Sequence, residues 1–211
     1  MFDFAVLRES LIKGDIEKTA ELTQAALDAG VKAKEVLDKC LVPGLEEVGR
    51  RFQRGEYYFP ELLVAGEAMK SAMTILKPKL GTKDGATIGR FVIGTVKSDI
   101  HDIGKNIVVM MLEGNGWDVT DLGVDVSSEQ FVKAVKEGKV DVLGMSALLT
   151  TTITQLPQTI EMLKKEGLRN KVKVMVGGVS VTPEYAKQIG ADAYGKDAVE
   201  AVIAARKLVG K

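Results

Sequence analysis

Residues 91–113 read FVIGTVKSDIHDIGKNIVVMMLE, and their grammar changes twice. Phe91–Val96 is an apolar run rich in β-branched residues, as expected of a strand buried on both faces. Lys97–Lys105 is a polar loop, and Gly104–Glu113 reads as a helix. The alternation continues downstream. Strands are predicted over Trp117–Leu122, Val140–Met145, Val172–Val176 and Ala191–Tyr194. Helices are predicted over Ser127–Lys139, Thr154–Glu166, Pro183–Ile189 and Asp197–Val209, the first capped by Ser127 or Ser128. Near-continuous apolar strands separated by helices predict an α/β fold with a five-stranded parallel sheet over residues 88–211. Such sheets bind ligands beyond the carboxyl ends of their strands, so residues of interest should sit in loops that follow strands.

The chain before that point is built differently. Of its 22 glycines, 6 fall in residues 1–80, and sparse glycine suits helices. Asp15 is placed to cap a helix over Ile16–Ala29 that Gly30 ends. Further helices are predicted over Ala33–Cys40, from Pro43 through Leu45, Val48 and Phe52, and from Pro60 to Leu76. Together they predict a four-helix bundle over residues 1–87, with GTKDGAT (81–87) as linker and hinge.

Composition narrows the function. The 211 residues carry 29 Lys and Arg against 29 Asp and Glu, so no charge excess points to nucleic acid or an anionic membrane. One cysteine, Cys40, excludes a disulfide scaffold and favours a cytoplasmic location. The opening MFDFAVLRES does not read as a secretory leader. One histidine and one thiol are too few for a protein-only zinc site.

That histidine, His101, lies in the loop after the first strand, two residues beyond Asp99. Three readings stand side by side. The loop could hold a solvated histidine among helix-capping aspartates. Asp99 and Asp102 could hold Mg²⁺, as in a phosphoacceptor domain. Or Asp99 could orient the ring so that its other nitrogen ligates a metal already held by a macrocycle, which needs only one protein ligand. Thr151 or Thr152, before Ile153, could equally be plain helix caps.

Asp99-Ile100-His101-Asp102-Ile103-Gly104 matches the pattern D-x-H-x-x-G, Ser146-Ala147-Leu148 matches S-x-L, and Gly177-Gly178 supplies G-G. In this order, each after a predicted strand, they resemble the cobalamin-binding domains of methionine synthase and of small corrinoid proteins. Leu41–Gly49 and Phe52–Pro60 resemble the helical cap that precedes such domains. Where the family often has glycine before its first Asp, this chain has Ser98. The resemblance implies a cap followed by a Rossmann-like (flavodoxin-like) cobalamin-binding domain.

It also implies cobalamin bound base-off and His-on, with His101 the axial ligand to cobalt, Asp99 its hydrogen-bond acceptor and Thr152 behind Asp99. Ser146 and Leu148 would flank the nucleotide tail, and Thr150 and Thr151 would lie near the lower corrin face. Gly177 and Gly178 would admit the tail, Tyr194 and Gly195 to Ala198 would close its far side, and Phe52 and Phe59 would shield the upper face. The implied function is methyl carriage in a corrinoid-dependent methyltransferase system, non-catalytic alone. The implied partners are a substrate-specific methyltransferase, an acceptor methyltransferase acting on a thiol or folate, and a reductive activation protein. A cobalamin-dependent sensor is the alternative of another class. A mutase small subunit would usually lack the cap.

Overall fold

The structure, a computed structural model, describes residues 2–79 and 87–210. They fall into two compact units, one formed mainly by the chain before Thr87 and the other by the chain from Thr87 onward. The 81–86 part of the expected linker lies outside the described residues.

The first unit is helical: α1 (Phe4–Ile12), α2 (Ile16–Asp28), α3 (Ala33–Val36), α4 (Val42–Gln53) and α5 (Phe59–Leu76). Asp15 caps α2, its carboxylate accepting from the Lys18 N–H at 3.0 Å. Four rods result, but not the four expected. The sequence reading missed α1, which Asp3 caps and which buries Leu7 and Leu11 four residues apart. It also split one rod in two. A π turn over Leu37–Leu41 joins α3 to α4, with the Val42 N–H bonding back to Leu37 O. Pro43 lacks an N–H, and its ring crowds the carbonyl one turn earlier. A widened turn at that place lets the rod run through the proline. Leu7, Leu11, Leu41, Leu45, Met69 and Leu76 form the buried centre of this unit.

The second unit alternates β1 (Arg90–Thr95), α6 (Ile103–Gly114), β2 (Asp118–Asp121), α7 (Ser128–Glu137), β3 (Val142–Ser146), α8 (Gln155–Lys165), β4 (Lys173–Gly177), α9 (Pro183–Gln188), β5 (Ala193–Gly195) and α10 (Ala198–Leu208). Ser127 caps α7 in a capping box with Gln130. All pairings are parallel, in the order β2-β1-β3-β4-β5. Successive residues along β1, β3 and β4 are buried, so both faces of the sheet are covered. From β1 the chain steps to one side for β2, then crosses to the other for β3. The loops after β1 and β3 therefore part at a switch point, where this architecture opens its ligand crevice. Among the described residues, no helix is long and apolar enough to cross a membrane.

Just beyond β4, Gly178 has φ +118°, and a Cβ there would lie 2.0 Å from the Ala147 carbonyl oxygen. Gly190 also has positive φ, but a Cβ there would meet nothing within 4 Å. Gly190→Ala is expected to cost about 1 kcal/mol from backbone conformation alone, and Gly178→Ala at least about 3 kcal/mol because backbone must also move. Urea unfolding of the two variants measures the difference.

Candidate functional site

Asp99 organises the switch point. The loop after β1 turns back on itself, with the Asp99 N–H bonded to Val96 O at 3.1 Å and the His101 carbonyl accepting from the Thr95 hydroxyl at 2.9 Å. This delivers the Asp99 side chain to the interior, where it is fully buried. One carboxylate oxygen accepts from His101 Nδ1 at 2.7 Å and from the His101 N–H at 3.1 Å. The other accepts from the Thr152 hydroxyl at 2.7 Å, the Leu148 N–H at 2.8 Å and the Leu149 N–H at 3.4 Å.

Burial by itself would raise the Asp99 pKa, but the donors from Leu148, Thr152 and His101 outweigh it and hold the carboxyl well below the usual range. The group is therefore an anion that only accepts hydrogen bonds. His101 Nδ1 must then carry the proton, and in the neutral ring the lone pair sits on Nε2. The His101 side chain is 45% exposed. It offers a nitrogen donor at the surface, with its tautomer and orientation set from behind.

Apolar side chains stand exposed at this end of the sheet, among polar ones such as Thr150 and Thr151. Ile100, Ile103, Val124, Leu149 and Val179 are exposed, and they lie at the carboxyl ends of β1, β2, β3 and β4. Leu149, Val124 and Val179 were not foreseen. Their signal in a sequence is an apolar residue just past a strand's last paired residue, where the sheet no longer covers it. Gly104, in the first turn of α6, lacks a left-handed φ, and a Cβ there would meet nothing within 4 Å. The polypeptide does not require glycine at that position.

The remaining residues singled out from the sequence form a second row. Ser146, Gly177 and Gly195 are neighbours in register across β3, β4 and β5. Ser146 and Tyr194 are half-buried, and Ala198 opens α10 behind the Asp197 cap. The half-buried Leu148 ties this row to the first cluster, its N–H bonded to Asp99 and its carbonyl accepting from the Ser180 hydroxyl at 2.5 Å. The polypeptide itself demands the glycine pair, since a Cβ on Gly177 would lie 2.8 Å from Gly195 O. Thr150 and Thr151 are exposed. α8 starts only after Thr154, so neither Thr151 nor Thr152 is its cap.

Asp102 bonds to Asn106 rather than converging on Asp99. Among the described residues, no three His, Cys, Asp or Glu side chains gather to hold a metal ion. Lys105, which sequence reasoning did not single out, is buried and donates to Asp121 at 2.5 Å, pinning the first turn of α6 to the end of β2. In the helical unit, Phe52 is half-buried on α4 and Phe59 is exposed at the start of α5. One oriented imidazole, exposed apolar side chains at the same end of the sheet and an open glycine fit a large group that brings its metal already held in a ring.

Residues 89–203 match the family described as B12 binding domain, and residues 4–77 match a second family of the same description. Trimethylamine corrinoid protein 2 of Methanosarcina mazei is 44% identical over 94% of this chain and 92% of its own. A crystal structure of a novel cobalamin-binding protein from Desulfitobacterium hafniense DCB-2 matches with a TM-score of 0.82 and 33% identity, over 99% of each chain. A crystal structure of the methanol:cobalamin methyltransferase complex from Methanosarcina barkeri matches with a TM-score of 0.86 and 30% identity, over 98% of this chain and 79% of that one.

The Asp99 environment sets a pH dependence. Because the folded pKa is lowered, the unfolded chain binds the proton first as pH falls. The stabilisation is whole above the ordinary carboxylate value of about 4 and drains away below it. Urea midpoints of the native chain should therefore fall more steeply between about pH 5 and pH 2 than those of Asp99→Asn. At neutral pH, Asp99→Ala should cost about 2–4 kcal/mol, since it orphans the donors that converge there.

Proposed function

The chain belongs to the B12-binding corrinoid proteins of methyltransferase systems, and from that premise we propose that it carries a methyl group on a cobalamin held base-off and His-on. The observation that carries this reading is the division of the Asp99 carboxylate, one oxygen on the His101 ring and the other on Thr152 and Leu148. The cobalt corrin supplies a centre that accepts a methyl group as a cation equivalent and gives it up to a nucleophile. The residues around it do the rest.

His101 Nε2 would hold the cobalt. The buried Asp99 anion at Nδ1 would hold the ring so that Nε2 faces the cofactor. The Thr152 hydroxyl, 2.7 Å from Asp99, keeps the carboxylate aimed at the ring. Ile100, Ile103 and Gly104 receive the macrocycle beside the ring. The row of Ser146, Gly177 and Gly195 with Tyr194 would hold the nucleotide tail, and Thr150 and Thr151 would lie beside the macrocycle. Phe52 and Phe59, in the helical unit, would act as shields for the methyl group.

The helical unit is the cap and residues 88–211 are the cofactor domain, with the boundary in residues 81–87. The donors that suit this reading are a methylamine or methanol, in line with the relatives' names. The partners are a substrate-specific methyltransferase, a second methyltransferase acting on a thiol or folate, and a reductive activation protein. A cytoplasmic location suits a chain whose one cysteine, Cys40, is a buried free thiol.

Titration with hydroxocobalamin tests the reading. His101→Ala should bind roughly 10- to 100-fold more weakly and lose the absorbance signature of a nitrogen axial ligand. A spectrum identical to that of the native chain would remove His101 as the ligand. Gly104→Ala should keep or gain stability without cofactor, by up to about 1 kcal/mol, yet bind hydroxocobalamin less tightly. Unchanged affinity would show that the open space beside His101 is not used.

A further inference from the structure

Ser98 and Asp125 are the two non-glycine residues with positive φ among the described residues, at 65° and 55°. They are bound to one another. The Ser98 N–H donates to Asp125 Oδ1 at 2.8 Å, across 27 residues of sequence. The Asp125 N–H in turn donates to the Asp99 carbonyl at 3.0 Å. Lys97 Nζ donates to the second Asp125 oxygen at 2.9 Å. The same stretch after β2 continues the contact, through the Val96–Val126 bridge and the Val126 N–H to Thr95 O bond.

A left-handed conformation is unfavourable for a residue with a Cβ, and Ser98 holds it against the Asp125 carboxylate. The backbone at Ser98 sets the direction in which Asp99 leaves the chain. Asp99 must reach His101, Leu148 and Thr152 at once. We propose that Asp125 is a positioning residue: its carboxylate latches Ser98 in the left-handed conformation that aims Asp99 at His101 Nδ1. The Lys97–Asp125 ion pair is half-exposed and therefore screened, so the operative contact is the one to the Ser98 N–H. The inference takes from the proposed function only that the orientation of His101 matters.

The test uses the protein without cofactor. Because His101 is the sole histidine, ring ¹⁵N shifts report one residue. At a pH where the ring is neutral, they distinguish the proton on Nδ1 from the proton on Nε2. The native chain should show the Nδ1–H form. Asp125→Ala should lower the Nδ1–H to Nε2–H ratio about fivefold, the scale of one relaxed left-handed residue. Asp125→Asn keeps an oxygen for the Ser98 N–H and should retain the native ratio. Asp125→Ala combined with Ser98→Gly should recover it, since glycine holds the conformation without the latch.

A native ratio in Asp125→Ala, even with a lowered urea midpoint, would overturn the proposal by leaving Asp125 a purely structural role. So would a double variant no better than the single one. The readout is on the unloaded protein, so its failure is distinguishable from a failure of the proposed function, which hydroxocobalamin affinity reads.

Discussion

The second unit is organised around a carboxylate that is completely removed from water. Desolvating an anion of this kind costs several kcal/mol unless hydrogen bonds offset it. For Asp99 the offset comes from both oxygens being used, with donors from His101 on one side and from Thr152, Leu148 and Leu149 on the other. The sheet order makes that possible. β1 pairs with β3 so that Thr95 lies opposite Ser146. Asp99, shortly after Thr95, thus meets Leu148, shortly after Ser146, although 49 residues of chain separate the two. A different strand order would leave the same residues apart.

Two consequences follow for the imidazole. An acceptor held this firmly as an anion does not take the Nδ1 proton, so the ring presents Nε2 in its neutral state. The carboxylate also stays in place whether the ring is neutral or charged, because its second oxygen is tied to groups that do not titrate. The Thr152 hydroxyl has one hydrogen and two acceptors in reach, Asp99 at 2.7 Å and Leu149 O at 3.0 Å. Its bond to Asp99 can strengthen or relax without leaving the hydrogen unpaired. Such a support fixes the direction of the ring without depending on a single hydrogen bond.

What could be read from the amino-acid sequence follows the physics of each element. Parallel strands buried on both faces leave continuous apolar runs, which mark β1, β3 and β4, whereas β2 and β5 are shorter and less buried. α1 was missed because its buried side, Leu7, Ser10, Leu11 and Ile12, is short and includes a serine. The rod through Pro43 was broken in two because proline ordinarily ends a helix, and the π turn that accommodates it leaves no mark in residue type. The two-residue spacing of Asp99 and His101 was visible, and their hydrogen bond spans that spacing. Invisible were the backbone donors at Leu148 and Leu149, which have no side-chain signature. So were Asp125 and the Lys105–Asp121 pair, whose meaning depends on which loops the sheet brings together.

Glycines show the same division more sharply. Gly104, Gly177 and Gly178 all belong to motifs, and a motif alone gives them equal standing. The coordinates separate them. At Gly177 and Gly178 a side chain would strike the chain's own carbonyl groups, at 2.8 Å and 2.0 Å, so the fold needs glycine there whatever else binds. At Gly104 nothing lies within 4 Å, and the residue occupies a helix, where glycine is otherwise a disadvantage. At that position the chain's own packing does not call for glycine. Of the three, Gly177 and Gly178 are therefore explained by the fold itself, and Gly104 is not.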